Sequence, residues 1–75
     1  MTEGEKRIRV DFNVGQSSKV YEIKKKSAEL IDLVDQLNPK LTREDFDLGE
    51  FRRLISLAKT AYEEAAMWAV KAETL

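Results

Sequence analysis

Lysine is the first side chain to consider for chemistry in this sequence, because the chain contains no His and no Cys. Without imidazole or thiolate there is no zinc-ligand set and no Ser-His type of nucleophile. Only Lys and the carboxylates remain as acid or base groups. The 75 residues include 13 Lys plus Arg and 14 Asp plus Glu. The sequence therefore predicts a protein that is not an enzyme and that uses no metal or cofactor.

Charge is unevenly distributed along the chain. Residues 1–26 carry seven basic and four acidic side chains, residues 27–51 carry two and seven, and residues 52–75 carry four and three. A hairpin that turns in the acidic middle third leaves its open end positive, and the run Lys24–Lys26 lies toward that end. An anionic ligand would prefer this end. The alternative is that a lysine run on a surface helix is simply a solvated face.

The net charge of −1 excludes some partners. Wrapping duplex DNA depends on many Lys and Arg that neutralise phosphates, so a small nucleic-acid-binding regulator is disfavoured. No apolar run approaches the ~20 residues of a bilayer span, and the first residues lack the apolar stretch of a secretory signal. We expect a soluble, cytoplasmic protein with no DNA and no membrane partner.

Two further groups are candidates for ligand contact. Phe12, which precedes Asn13, is an aromatic residue that either plugs a core or stacks on a nucleobase. Lys59 and Thr60 are neighbours within a helical pattern, where Thr is only mildly unusual. Among the three consecutive lysines, Lys24 is the one beside an apolar stripe and so the one expected to reach a ligand or an interface.

The N-terminal part is predicted to be an extended arm over residues 1–16. Residues 1–7 are polar and expected to be frayed. From Ile8 to Val14 apolar and polar residues alternate, which is the period of an extended segment. No other segment offers a strand partner, so the arm is expected to lie on another surface.

The first helix is predicted from Ser18 to about Asn38, because its apolar residues recur three and four positions apart. Ser17 and Ser18 are the candidate N-caps. Pro39 disfavours the helical conformation in the residue before it, so the helix is expected to end at Asn38.

The second helix is predicted within residues 44–74, with its main part from Leu48 onward. Thr42 and Asp45 offer a start that resembles a capping box. A main apolar stripe keeps a heptad spacing and comprises Phe51, Ile55, Ala58, Tyr62, Ala65, Ala69 and Ala72. A second stripe beside it comprises Leu54, Ala61, Trp68 and Leu75.

The predicted fold is all-α: a two-helix antiparallel hairpin with an extended N-terminal arm, forming a single domain. A hairpin has no closed core, and one partner helix cannot cover so broad an apolar face. We therefore expect a homo-oligomer in which second helices pack against one another.

The second helix also carries a resemblance to a known family. The run Ala58–Thr60 (AKT) and the stretch Glu63–Ala72 (EEAAMWAVKA) resemble the carboxy-terminal helix of the phage anti-CBASS cyclic-oligonucleotide sponges. These proteins share a helical-hairpin domain with Thoeris anti-defence sponges. The run Glu22–Lys24 is similar to the family's first helix, and the resemblance covers about residues 12–74.

The resemblance implies a hexamer of interlocked hairpins in the cytoplasm of an infected bacterial host. Such a protein holds cyclic di- and trinucleotide immune signals without cleaving them, so that CBASS-type effectors are not activated. By the same resemblance, Phe12 with Asn13 and Lys24 contact cyclic dinucleotides between protomers. Lys59 and Thr60 match a separate cyclic trinucleotide site. Phe12 stands where the family usually has Tyr and lacks the phenolic hydroxyl.

A second hypothesis explains the broad apolar face without any ligand. The chain would then be a helical oligomerisation or adaptor module with no affinity for nucleotides. Binding of cyclic nucleotides discriminates between the two hypotheses.

Overall fold

The computed structural model describes residues 1–9 and 17–75, which form three helices and, within those ranges, no strand. The helices are α1 (Glu3–Ile8), α2 (Ser18–Asp35) and α3 (Leu48–Glu73). The all-α prediction is confirmed for this part of the chain, and the hairpin is formed by α2 and α3. The third helix, α1, is an addition to the predicted two.

Helix α1 corrects the prediction of a frayed and extended start. Thr2 is its N-cap, with Oγ1 accepting from the Glu5 backbone N–H at 3.1 Å, while Glu5 Oε1 accepts from the Thr2 N–H at 2.8 Å. This capping box satisfies N–H groups that have no partner inside a helix. The helix ends at Arg9, whose backbone is left-handed with φ 57°. The rest of the predicted arm, including Phe12 and Asn13, lies outside the described residues.

Helix α2 begins at Ser18 because Ser17 is its N-cap. The Ser17 Oγ accepts from the Val20 N–H at 3.1 Å. It ends at Asp35, three residues before the predicted end at Asn38. The N–H of Gln36 bonds to the carbonyl of Leu33, which tightens the last turn and ends the helix before the restriction imposed by Pro39 applies.

Helix α3 begins at Leu48 because Asp47 is its N-cap, with Oδ1 accepting from the Glu50 N–H at 3.0 Å. The predicted main part from Leu48 onward is confirmed, and residues 44–47 before it are not helical. Asp45 does not cap a helix; its carboxylate instead accepts from the Arg43 guanidinium at 3.3 Å.

Helices α2 and α3 run antiparallel, and α1 packs mainly on α2. Near the hairpin turn Lys59 of α3 forms an ion pair with Asp35 of α2. At the open end Lys24 and Val70 line the same groove. The molecule measures 52 × 22 × 13 Å, and its radius of gyration of 15.0 Å exceeds the ~11 Å of a compact chain of this length.

The core within the described ranges is small. The buried hydrophobic residues are Ile8, Val20, Ala28, Ile31 and Ala66, of which Ile31 is fully buried. In α3 the buried alanine is Ala66 and not the predicted Ala65, which is exposed. Ala66 lies four residues after Tyr62, which places both side chains on one face of the helix, and Tyr62 packs against the same buried cluster.

In the described part of the chain, every helix is too short or too polar to cross a bilayer.

Candidate functional site

A groove lies at the open end of the hairpin, between the end of α1, the first half of α2 and the last half of α3. Its volume is about 500 Å³, which falls within the ~300–1,000 Å³ of small-molecule sites. Its apolar walls come from α1, through Ile8, and from α3, through Ala66, Met67 and Val70.

The polar lining of the groove is strongly basic. Four cationic residues line it, namely Arg7, Arg9, Lys24 and Lys71, against the single carboxylate of Glu63. The lining thus carries a formal charge of +3, although the whole chain carries −1. Apolar walls below fixed cations favour a ligand with anionic groups and flat apolar faces.

Arg7 is held in place by two carboxylates. Its Nε donates to Glu3 Oε1 at 2.8 Å within α1, and its Nη1 donates to Glu63 Oε2 at 3.1 Å on α3. The hydrogen bond to Glu3, and secondarily that to Glu63, raises the pKa of Arg7, which is charged at any physiological pH. The guanidinium therefore links α1 to α3 at the edge of the groove.

Lys71 reaches the groove from the last turns of α3. Its Nζ lies 5.7 Å from the ring centroid of Trp68, within the range of a cation–π interaction. Trp68 itself is 56% exposed. The interaction orients a lysine that would otherwise sample many rotamers.

Comparison with protein families decides what kind of hairpin this is. The family model described as "Acb2/Tad1, hairpin domain" matches residues 3–74, a range that contains α1, α2 and α3. The chain belongs to this family. No curated protein and no solved structure matched it.

The Acb2/Tad1 assignment confirms the predicted resemblance to the anti-CBASS and anti-Thoeris sponges.

Of the predicted site residues, Lys24 lines the groove and is partly buried. Lys59 is elsewhere: it pairs with Asp35, eleven positions beyond Lys24 on α2, or about 16 Å at 1.5 Å per residue. Its side chain is 13% exposed, whereas Thr60 is exposed. The structure thus does not bring Lys59 and Thr60 together with Lys24 within one chain, and their proposed roles belong to separate places.

Three lining cations were missed by sequence reasoning, namely Arg7, Arg9 and Lys71. The excess of basic residues in the first third of the chain was a signal for the two arginines, but the assignment of residues 1–16 to an extended arm gave them no fixed position. The placement of Lys71 required the pairing of α3 with α1 and α2.

A second depression of about 260 Å³ lies on the other side of α1 and differs in charge. It is lined by Glu5, Glu29 and Asp32 with the single cation Lys25, among other residues. An anion would be repelled there, so the basic groove is the better candidate for an anionic ligand. Across residues 1–9 and 17–75 there is no group of three or more acidic side chains placed to hold a metal ion.

Proposed function

We propose that this Acb2/Tad1 hairpin protein sequesters cyclic oligonucleotide signals of bacterial immunity without cleaving them. The family match over residues 3–74 carries the proposal. In the cytoplasm of an infected host, the bound signal would not reach its CBASS-type effector. The basic groove supports the proposal, because it combines four cations with apolar walls.

The chemistry of the ligand fits the groove. A cyclic dinucleotide is a compact dianion with two flat bases, and it needs fixed cations for the phosphates and apolar or aromatic walls for the bases. Lys24, Arg9 and Lys71 are the candidate phosphate contacts, while Met67 and Val70 offer apolar surface. By the family resemblance, Phe12 remains the candidate for stacking on a base and Asn13 a candidate for ligand contact beside it. Lys59 and Thr60 remain candidates for a cyclic trinucleotide site.

Sequestration requires no catalytic group. It works by mass action, so it depends on tight binding and on enough protein copies to match the signal. This agrees with a chain that lacks His and Cys altogether.

We further propose that the protein works as a homo-oligomer, a hexamer by family resemblance. The accessible surface of the chain is 5821 Å², whereas a folded monomer of 8.6 kDa exposes about 4,700 Å². Large apolar side chains contribute to that surface on α3, including Leu54, Leu57 and Trp68, each more than half exposed. A second copy is the partner that would cover them.

The ligand proposal is tested by equilibrium dialysis of the purified protein against a panel of cyclic di- and trinucleotides. The protein is then digested with protease and the released ligand is analysed by mass spectrometry. We expect at least one cyclic nucleotide to bind and to be recovered intact. Oligomers that bind none of the panel would instead favour the oligomerisation or adaptor module, and cleaved ligand would contradict sequestration.

A further inference from the structure

Helix α1 is too short to be stable by itself. It has six residues, and isolated helices below about 12 residues are marginal in water even with good capping. Its position must therefore come from its contacts with α2 and α3.

One of these contacts is made by Gly4 in the first turn of α1. Its backbone N–H donates to Asp32 Oδ1 on α2 at 2.7 Å. This N–H has no partner inside α1, and the carboxylate of Asp32 supplies one from across the helix interface. Asp32 therefore fixes both the separation of the two helices and the register between them.

No side chain fits at Gly4. A Cβ added there would overlap the carbonyl oxygen of Ala28 and would lie 2.6 Å from its carbonyl carbon. These are backbone atoms in the middle of α2, so they cannot rotate away. Glycine is thus required for the approach of α1 to α2.

Docking of α1 determines what the groove contains. Ile8 is buried beneath the groove, Arg7 links α1 to Glu63, and Arg9 follows at the left-handed C-cap with its N–H bonded to the Glu5 carbonyl at 2.8 Å. Two of the four lining cations, Arg7 and Arg9, therefore come from α1. If α1 left α2, the groove would lose both of them and its apolar wall at Ile8.

We infer that α1 is a docked element that supplies half of the cations of the groove, and that Gly4 and Asp32 are the positioning residues that hold it there. The inference rests on the proposed function for the identity of the natural ligand. Docking of α1 and anion binding favour the same state, so each stabilises the other. A bound anion stabilises the docked position of α1, and undocking of α1 lowers the affinity for the anion.

The test compares two Gly-to-Ala variants at equivalent positions. Gly4 and Gly49 are each the second residue of a helix whose N-cap is bonded to the third residue. A Cβ at Gly49 would meet only the Asp47 carboxylate at an ordinary 3.4 Å. Gly49→Ala is therefore a matched control in which the added methyl group has room.

Two quantities are measured in each variant: hydrogen exchange of the α1 amides, and affinity for the best cyclic nucleotide and for inorganic pyrophosphate. We expect Gly4→Ala to lose protection in α1, to keep it in α2 and α3, and to bind both anions about tenfold more weakly or worse. Gly49→Ala should match the wild type. Unchanged protection in α1, or lost protection with unchanged affinity, would overturn the inference.

A second variant separates positioning from charge. Asp32 lines the second depression and not the groove, so electrostatics alone predicts that Asp32→Asn leaves anion binding unchanged or strengthens it. We expect weaker anion binding, because the contact with Gly4 is weakened. We also expect added ligand to slow hydrogen exchange of α1 less than it does in the wild type. Glu29→Gln makes the same charge change on the exposed side of α2 and should not weaken binding. Unchanged or stronger binding by Asp32→Asn would overturn the positioning role.

The two proposals fail in distinguishable ways. If the wild-type protein binds no cyclic nucleotide, the proposed function is contradicted. The role of α1 is then tested by the affinity for inorganic pyrophosphate. Weaker pyrophosphate binding in Gly4→Ala than in Gly49→Ala supports the inference. Equal binding by both variants, or binding by neither variant nor the wild type, overturns it.

Discussion

Single residues explain why an acidic protein has a basic groove. Lys24 and Lys71 approach from α2 and α3, while Glu63 is the single carboxylate in the lining and is bonded to Arg7. That hydrogen bond neutralises the one acid that would oppose an anion. Several other acidic residues, such as Asp35 and Glu50, lie toward the turn of the hairpin.

We expect Lys24→Ala to lower the affinity for a cyclic dinucleotide about tenfold, which corresponds to the ~1.5 kcal/mol of one charge-assisted contact. Lys26→Ala is the matched control, since Lys26 is exposed and does not line the groove. Titration calorimetry measures both affinities, and light scattering checks that the assembly is intact. Equal affinity of the two variants would remove Lys24 from the site.

The carboxylate of Glu5 makes the start of α1 sensitive to acid. Its hydrogen bonds with the backbone N–H and the side chain of Thr2 lower the pKa of Glu5. A lowered pKa in the folded state means that the stabilisation is present above the unfolded value of about 4.3 and is lost as the pH falls through the folded value. Protonation of Glu5, as the pH falls through its lowered pKa, therefore weakens the capping box of α1.

Hydrogen exchange of α1, measured by mass spectrometry between pH 7 and pH 3 and corrected for the intrinsic rate, tests this effect. We expect α1 to lose more protection at low pH in the wild type than in Glu5→Gln, because Gln caps without titrating. Parallel pH profiles for the two proteins would show that Glu5 does not contribute.

At the scale of the helices, the N-caps determine where each element begins. Asp47 caps α3, whereas Asp45, two residues earlier, bonds only to the side chain of Arg43 among the bonds described. Replacing a capping Asp with Ala typically costs about 1 kcal/mol.

We therefore expect Asp47→Ala to lower the free energy of unfolding by about 1 kcal/mol and Asp45→Ala to change it by less than about 0.5 kcal/mol. Both variants remove one carboxylate from the same segment, so their effect on net charge is identical. Urea denaturation followed by circular dichroism measures the difference. A larger loss of unfolding free energy in Asp45→Ala than in Asp47→Ala would instead favour the start formed by Thr42 and Asp45 that the sequence pattern indicated.

For the whole molecule, the positions along α3 separate the groove from the exposed apolar stripe. At 100° per residue, Leu54, Ala61 and Trp68 lie on one side of the helix, while Met67 and Val70 of the groove lie on the other. Copies that associate through the stripe leave the groove of each chain accessible. A homo-oligomer and a ligand site can therefore coexist on one helix.

Replacing Leu54 with Glu should reduce the size of the assembly, because it places a charge in the apolar surface that we expect a second copy to cover. Ser56→Glu adds the same charge on an exposed position at the other flank of α3 and should leave the assembly unchanged. Native mass spectrometry counts the subunits of both proteins. A wild-type protein that is monomeric at micromolar concentration would contradict the self-association proposal.

The sequence by itself determined the hairpin. Spacing of apolar residues located α2 and α3, and the uneven distribution of charge predicted a positive open end. These features follow from local periodicity, which depends on residues only a few positions apart. Helix α1 was missed because the polar composition of residues 1–7 predicted a frayed end; the spacing of Thr2 and Glu5, which form its capping box, was the local signal that could have located it.

Only the tertiary structure decided where the cations meet. Arg7 and Arg9 are more than 50 residues from Lys71 in the chain, and their meeting in one groove depends on the packing of α1 against α2 through Gly4 and Asp32. It likewise selected Ala66 over Ala65 for the interior, because Ala66 joins the buried cluster formed with Ile8, Ala28 and Ile31 of the other two helices. Contacts between distant segments depend on how helices fit together, and a local pattern carries no information about that fit.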